Sequence, residues 1–159
     1  MKILDLSAGH RHIWFNTKHP LVTFLDRRPE VKPDIVCDTR HLPAEVGSGF
    51  DLIVFDPPHE NCGPNGNMAR NYGHSTRADI YDTIEGSAKE AYRVGKATTL
   101  MAFKWNDCGI SLKKVIPLLE ASGWEPLFGH GFPKSGRHKS ETTWVMLMRR
   151  ADELAGGGE

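Results

Sequence analysis

The chain has no apolar run of roughly 18 residues, the least that a membrane-spanning helix needs, so neither a transmembrane helix nor a membrane partner is expected. It has no net charge, because 20 Lys and Arg balance 20 Asp and Glu. A strong sequence-independent grip on nucleic acid relies on excess Lys and Arg, so the balance argues against that kind of binder, although Lys134, Arg137, Lys139, Arg149 and Arg150 against the single acid Glu141 leave room for a local basic edge. Cysteine is scarce: Cys37, Cys62 and Cys108 are scattered and odd in number, which suits reduced thiols rather than a disulfide framework. No Cys-x2-Cys pair or His-Glu-x2-His helix occurs, so no metal site is expected, although His10 and His12 alternate as ligands can. The strand-like Met1–Leu6 leaves no stretch for a signal peptide, and a cytoplasmic location is expected on that ground. Repeats, coiled-coil heptads and long low-complexity tracts are absent as well.

What is present suits one domain over residues 1–150, followed by a frayed tail over 151–159 that ends Gly-Gly-Gly-Glu. A hydrophobic share of 39% allows a sizeable core. The body reads as alternating strands and helices, the pattern of a doubly wound α/β sheet. Strands are predicted at Lys2–Leu6, Val22–Leu25, Ile35–Cys37, Leu52–Phe55, Thr98–Phe103, Glu125–His130 and Thr142–Met148. Helices are predicted over Asp79–Val94, stopped by Gly95, and over Ser111–Ala121, capped by Ser111 and strained by Pro117. The last two strands read as a hairpin.

Acids close the first four strands: Asp5, Asp26, Asp38 and Asp56. Open α/β sheets place ligands at the C-terminal ends of their strands. The turn Asp5-Leu6-Ser7-Ala8-Gly9 is small enough to let backbone approach a ligand, although it lacks the three glycines of the dinucleotide fingerprint. Asp26 follows Gly9 at about the spacing that brings an acid to ribose hydroxyls. Asp38 and Thr39 are placed to meet an adenine edge. The sharpest feature is Asp56-Pro57-Pro58-His59, directly after the apolar Phe50–Phe55. Two prolines fix two φ angles and remove two N–H donors, so the corner is stiff and leaves carbonyls unpaired. A carboxylate, rigid acceptors and a flat ring suit a planar base with an exocyclic amino group.

These residues resemble class I S-adenosylmethionine-dependent methyltransferases. The tetrapeptide is similar to the amino-methyltransferase signature of Asp, Asn or Ser, then Pro-Pro, then an aromatic residue, the DPPY-like motif of adenine-N6 enzymes. The resemblance covers about the first two-thirds of the chain. It implies a Rossmann-like, mostly parallel seven-stranded sheet with an antiparallel last strand. It implies S-adenosyl-L-methionine as cofactor, with Asp5, Ser7, Ala8 and Gly9 beside its methionine part, Asp26 on its ribose, and Asp38 with Thr39 at its adenine. Asp56 would accept from the target amino group with help from the Pro57 carbonyl, Pro58 would stiffen the corner, and His59 would stack on the base. The family's fourth position is usually Tyr, Phe or Trp, so His59 is a departure.

The implied activity is N-methylation of an exocyclic amine, with DNA adenine first, RNA adenine next, and protein glutamine or a small molecule as alternatives. A catalytically silent partner subunit is the alternative of another class. Substrate contacts are expected from Arg70, Tyr72 and Arg77 in a Gly- and Asn-rich loop, from Lys104 at the end of strand five, and from Lys134 and Arg137 between the last strands. Little chain is left for a separate target-recognition domain, so specificity is expected to come from these loops, a homodimer or a partner subunit.

Overall fold

The computed structural model describes residues 1–59, 76–132 and 141–151. Seven strands form one sheet: β1 (Ile3–Asp5), β2 (Val22–Asp26), β3 (Ile35–Val36), β4 (Phe50–Phe55), β5 (Gly95–Asn106), β6 (Trp124–Phe132) and β7 (Thr142–Arg149). Their order is β3-β2-β1-β4-β5-β7-β6, and β7 alone runs opposite to the other six. This is the expected Rossmann-like sheet. The hairpin reading of the last strands holds, with Trp124 opposite Arg149 and Phe132 opposite Thr142.

Two α-helices are described, α1 (Arg77–Val94) and α2 (Leu112–Ala121). Helix α1 begins two residues before the expected start, because Thr76 and Asp79 form a reciprocal capping box that satisfies two orphan N–H groups. Gly95 ends it as expected and opens β5 without an intervening loop, so that strand starts earlier than Thr98. Ser111 sits at the N-cap of α2, but its hydroxyl makes no capping bond. Pro117 costs α2 one backbone hydrogen bond. Burial of Val115 and Leu119 keeps the helix seated regardless.

Both helices pack on the same face of the sheet. Right-handed crossovers put the connections that lead from β3 toward β6 on one side and those leading from β1 to β3 on the other. On the first side Ile80, Ile84, Ala88, Ala91 and Leu119 meet Leu4, Ile53, Phe55 and Met101 in the main core. The β1–β2 connection on the second side contains no helix; it offers Ile13 and Trp14 to a smaller cluster of Ile3, Val22, Phe24 and Val54. Two side chains of that connection do the covering. Trp14 meets the Phe24 ring edge-on at 5.4 Å, and the Arg11 guanidinium lies 4.1 Å over the same ring. No described helix is long and apolar enough to cross a membrane.

Candidate functional site

A cavity of about 550 Å³ opens at the C-terminal ends of β1, β2, β3 and β4, a volume ordinary for a small-molecule site. Of the residues expected from sequence, Ser7, Ala8, Gly9, Asp26, Asp38, Thr39, Asp56, Pro57, Pro58, His59 and Lys104 all line it. Asp5 does not. Arg77 does not either; its guanidinium reaches the Gly109 carbonyl at 3.4 Å, across from the start of α1. Arg70, Tyr72, Lys134 and Arg137 lie outside the described residues, as does the tail.

Asp5 is fully buried beneath the cavity. The Trp14 indole N–H donates to one carboxylate oxygen at 2.6 Å and the Ser7 amide to the other at 3.1 Å. It therefore ties the β1–β2 connection to the sheet. Burial pushes its pKa up to about 7, against the lowering effect of those two donors.

The next turn carries the ligand-facing backbone. Gly9 holds φ +50°, the left-handed region that glycine enters freely, and its amide donates 2.8 Å to Asp26 Oδ2. Ser7 Oγ accepts from the Asp56 amide at 3.0 Å, so the turn after β1 is fastened to the corner after β4.

The two acids at the far end are each clasped by an arginine two residues on. Asp26 accepts from the Arg28 amide at 2.9 Å, from Arg28 Nε at 3.0 Å and from Nη2 at 3.2 Å. Burial raises the Asp26 pKa, yet the Arg28 hydrogen bonds outweigh it and the net shift is downward. Asp38 is held by Arg40 in the same way, with Nη2 at 2.6 Å from Oδ2. The Arg40 hydrogen bonds bring its carboxyl down to about 2. Sequence reasoning missed both clasps; the signal was the repeated Asp-x-Arg, Asp26-Arg27-Arg28 and Asp38-Thr39-Arg40. Thr39 turns its hydroxyl to Ser87 of α1 at 2.7 Å.

At the near end, Asp56 follows the last residue of β4 and is half-buried. Lys104 Nζ lies 2.6 Å from its Oδ2. The sequence marked Lys104 for substrate, and the structure pairs it with Asp56. The His59 ring stands edge-on to buried Trp105 at 6.1 Å. Its Nδ1 is buried and finds no hydrogen-bond partner among the described residues. An acceptor or donor in that position is costly to leave unmet.

No family model matches the chain, and no curated protein matches it in sequence. Its fold does have relatives. It is similar to TrmN from Thermus thermophilus at TM-score 0.61 and 15% identity, covering 94% of this chain and 44% of that one. A TehB-like SAM-dependent methyltransferase from Corynebacterium glutamicum gives 0.61 at 18% identity, with 94% and 80% covered. The N-methyltransferase NodS from Bradyrhizobium japonicum, in complex with S-adenosyl-L-homocysteine, gives 0.62 at 9%, with 93% and 77% covered. The chain thus spans less than half the length of TrmN and most of the other two. At such identities the likeness shows the class I methyltransferase fold; function has to be argued from the site.

Proposed function

We propose that the chain is an S-adenosyl-L-methionine-dependent methyltransferase acting on an exocyclic amino group, with adenine N6 in DNA or RNA as the leading target. One observation carries the reading: Asp56-Pro57-Pro58-His59, after β4, lines the same cavity as Asp26, after β2, and Asp38, after β3. The residues fit the cofactor. Asp26 would take ribose hydroxyls once Arg28 lets go of it, Asp38 would meet an adenine edge, and the Gly9 turn admits close backbone approach. When bound, S-adenosyl-L-methionine supplies an electrophilic methyl carbon on a sulfonium. The structural relatives that carry methyltransferase names have varied substrates, so the amine is inferred from the corner after β4.

An exocyclic amine is a weak nucleophile because its lone pair is delocalised into the ring. Asp56 and the Pro57 carbonyl would each accept one N–H, favouring a pyramidal nitrogen with its lone pair aimed inward. Positioning of this kind is worth up to ~7–11 kcal/mol. Fixed acceptors also favour the positive charge that grows on nitrogen. The surplus proton then leaves through the Asp56 carboxylate to water. Lys104 holds Oδ2 and leaves Oδ1 as the acceptor. His59, with its unmet Nδ1, would meet the polar rim of the base.

The deciding experiment incubates the purified chain with methyl-labelled cofactor and a panel of DNA, RNA, protein and small-molecule acceptors, followed by nucleoside mass spectrometry. N6-methyladenosine or its deoxy form is the expected product, and Asp56→Ala is expected to abolish it while cofactor still binds. Near-normal turnover in that variant would sink the proposal.

A further inference from the structure

On the sheet face opposite the helices the smaller cluster reaches Val54 and Trp144, and past it no described helix covers β6. Register across the sheet places Asp56, Lys104, Trp144 and His130 in one row, since Phe55 pairs with Phe103, Lys104 with Trp144, and Trp144 with His130. A strand spacing of about 4.8 Å sets Trp144 about 10 Å and His130 about 14 Å from the Asp56 position. Phe128 and Phe132 share the His130 side of β6, by the period-two alternation of a strand. They are 68% and 53% exposed, and among the described residues no helix covers them. His130 and Phe132 meet edge-on at 5.2 Å, so their rings form one patch.

We infer that this aromatic face is a platform for a single-stranded nucleic acid, which lays bases on Phe128, His130 and Phe132 and, past Trp144, delivers the next base to Asp56. The inference rests on the reading of Asp56 as the acceptor of a nucleobase amine. Flat rings presented on an open sheet stack unpaired bases irrespective of sequence. The row is continuous with the cavity, which argues for an occupant that also enters it. Its upper half carries Lys104, Asn106, Thr142 and His130, whereas a homodimer core would be mainly apolar. Charge points the same way: residues 133–140, which join β6 to β7 in sequence, contain Lys134, Arg137, His138 and Lys139 and no acid. A single-stranded target also avoids the cost of flipping a base from a duplex.

The test measures binding of a short fluorescein-labelled, mixed-sequence DNA strand to the full chain by anisotropy, beside the same sequence as a duplex. The single strand is expected to bind about tenfold tighter or more. Phe128→Leu and Phe132→Leu keep apolar bulk but remove the ring; each is expected to weaken binding about tenfold, the scale of one lost base stack. Phe128→Trp is expected to retain affinity. Equal binding of strand and duplex, or parental affinity in both leucine variants, overturns the platform. A dimer in sedimentation that tolerates leucine at both positions and vanishes with Phe128→Asp does so too, and assigns the face to a second copy. Calorimetry with S-adenosyl-L-homocysteine on the same proteins reads the cavity alone. Normal binding there, with no effect of the ring deletions on DNA, removes the platform and leaves the cofactor reading intact. A parent chain that fails to bind it removes the cofactor reading.

Discussion

Lys104 and Asp56 meet at 2.6 Å across the ends of β5 and β4, so the carboxylate that would receive the target amine already holds an ammonium. Both side chains are partly shielded, 26% and 21% exposed, which makes the pair more than a screened surface contact. The pair fixes which oxygen faces the cavity. Lys104→Ala is expected to lower kcat about tenfold or more while leaving the cofactor Kd unchanged, read by initial rates and calorimetry. A parallel loss of cofactor binding would show that the lysine holds the cofactor instead.

Arg28 competes for the sites on Asp26 that a ribose needs. Together with the Gly9 amide, its three donors occupy both carboxylate oxygens. A binding-competent state that must first release a guanidinium is only fractionally populated, and the apparent Kd rises by the inverse of that fraction. Arg28→Leu is therefore expected to tighten S-adenosyl-L-homocysteine binding, on the order of tenfold, in isothermal calorimetry. Weaker binding would mean that Arg28 contacts the ligand.

Asp5 sets a pH dependence of stability. Burial holds its pKa at about 7 in the folded chain, against 3.8 for a solvated Asp carboxyl. Below the lower value the group is neutral in both states. Between the two, the unfolded chain gives up the proton and the folded chain keeps it, so stability falls as pH rises; above about 7 the loss is complete. Asp5→Asn is expected to gain on the parent by a few kcal/mol between pH 4 and pH 8 in urea titrations. A pH-independent gap between the two proteins would refute this.

Gly123 is a further point of strain control. It takes φ +92°, and a Cβ there would lie 2.6 Å from Cε2 of Tyr92. The Tyr92 ring cannot retreat freely, because the Arg149 guanidinium stacks on it at 3.9 Å and its hydroxyl donates to the Arg150 carbonyl. Gly123→Ala is expected to cost about 1–3 kcal/mol of stability with ligand binding unchanged.

Most strands were legible in sequence because they are short apolar runs closed by an acid or a turn, and the sheet follows from their alternation with helices. Asp26, Asp38 and Asp56 were legible for the same reason: a strand end is where the residue must face the open edge. The clasps were not, because Arg28 and Arg40 look like ordinary surface charges until a turn folds each back on its own acid. Asp5 was read as a cavity residue on its position alone. Its side chain points into the sheet interior because an indole nine residues later, Trp14, supplies the donor that lets a carboxylate sit there. The start of α1 was hidden by the polar, glycine-rich run before it, although Thr76 and Asp79 held the capping signal.

The lopsided covering of the sheet bears on how the protein opens. Strand β3 has two residues, and its ladder with β2 joins only Leu25 to Ile35 and Asp26 to Val36. Ile35 and Cys37 pack on the main core, but so short a ladder should still be the first part of the sheet to fray. Asp26 and Asp38 end those two strands, so a molecule bridging them would act as the missing brace. The occupant of the cavity then finishes the fold, and midpoint temperature becomes a direct gauge of occupancy.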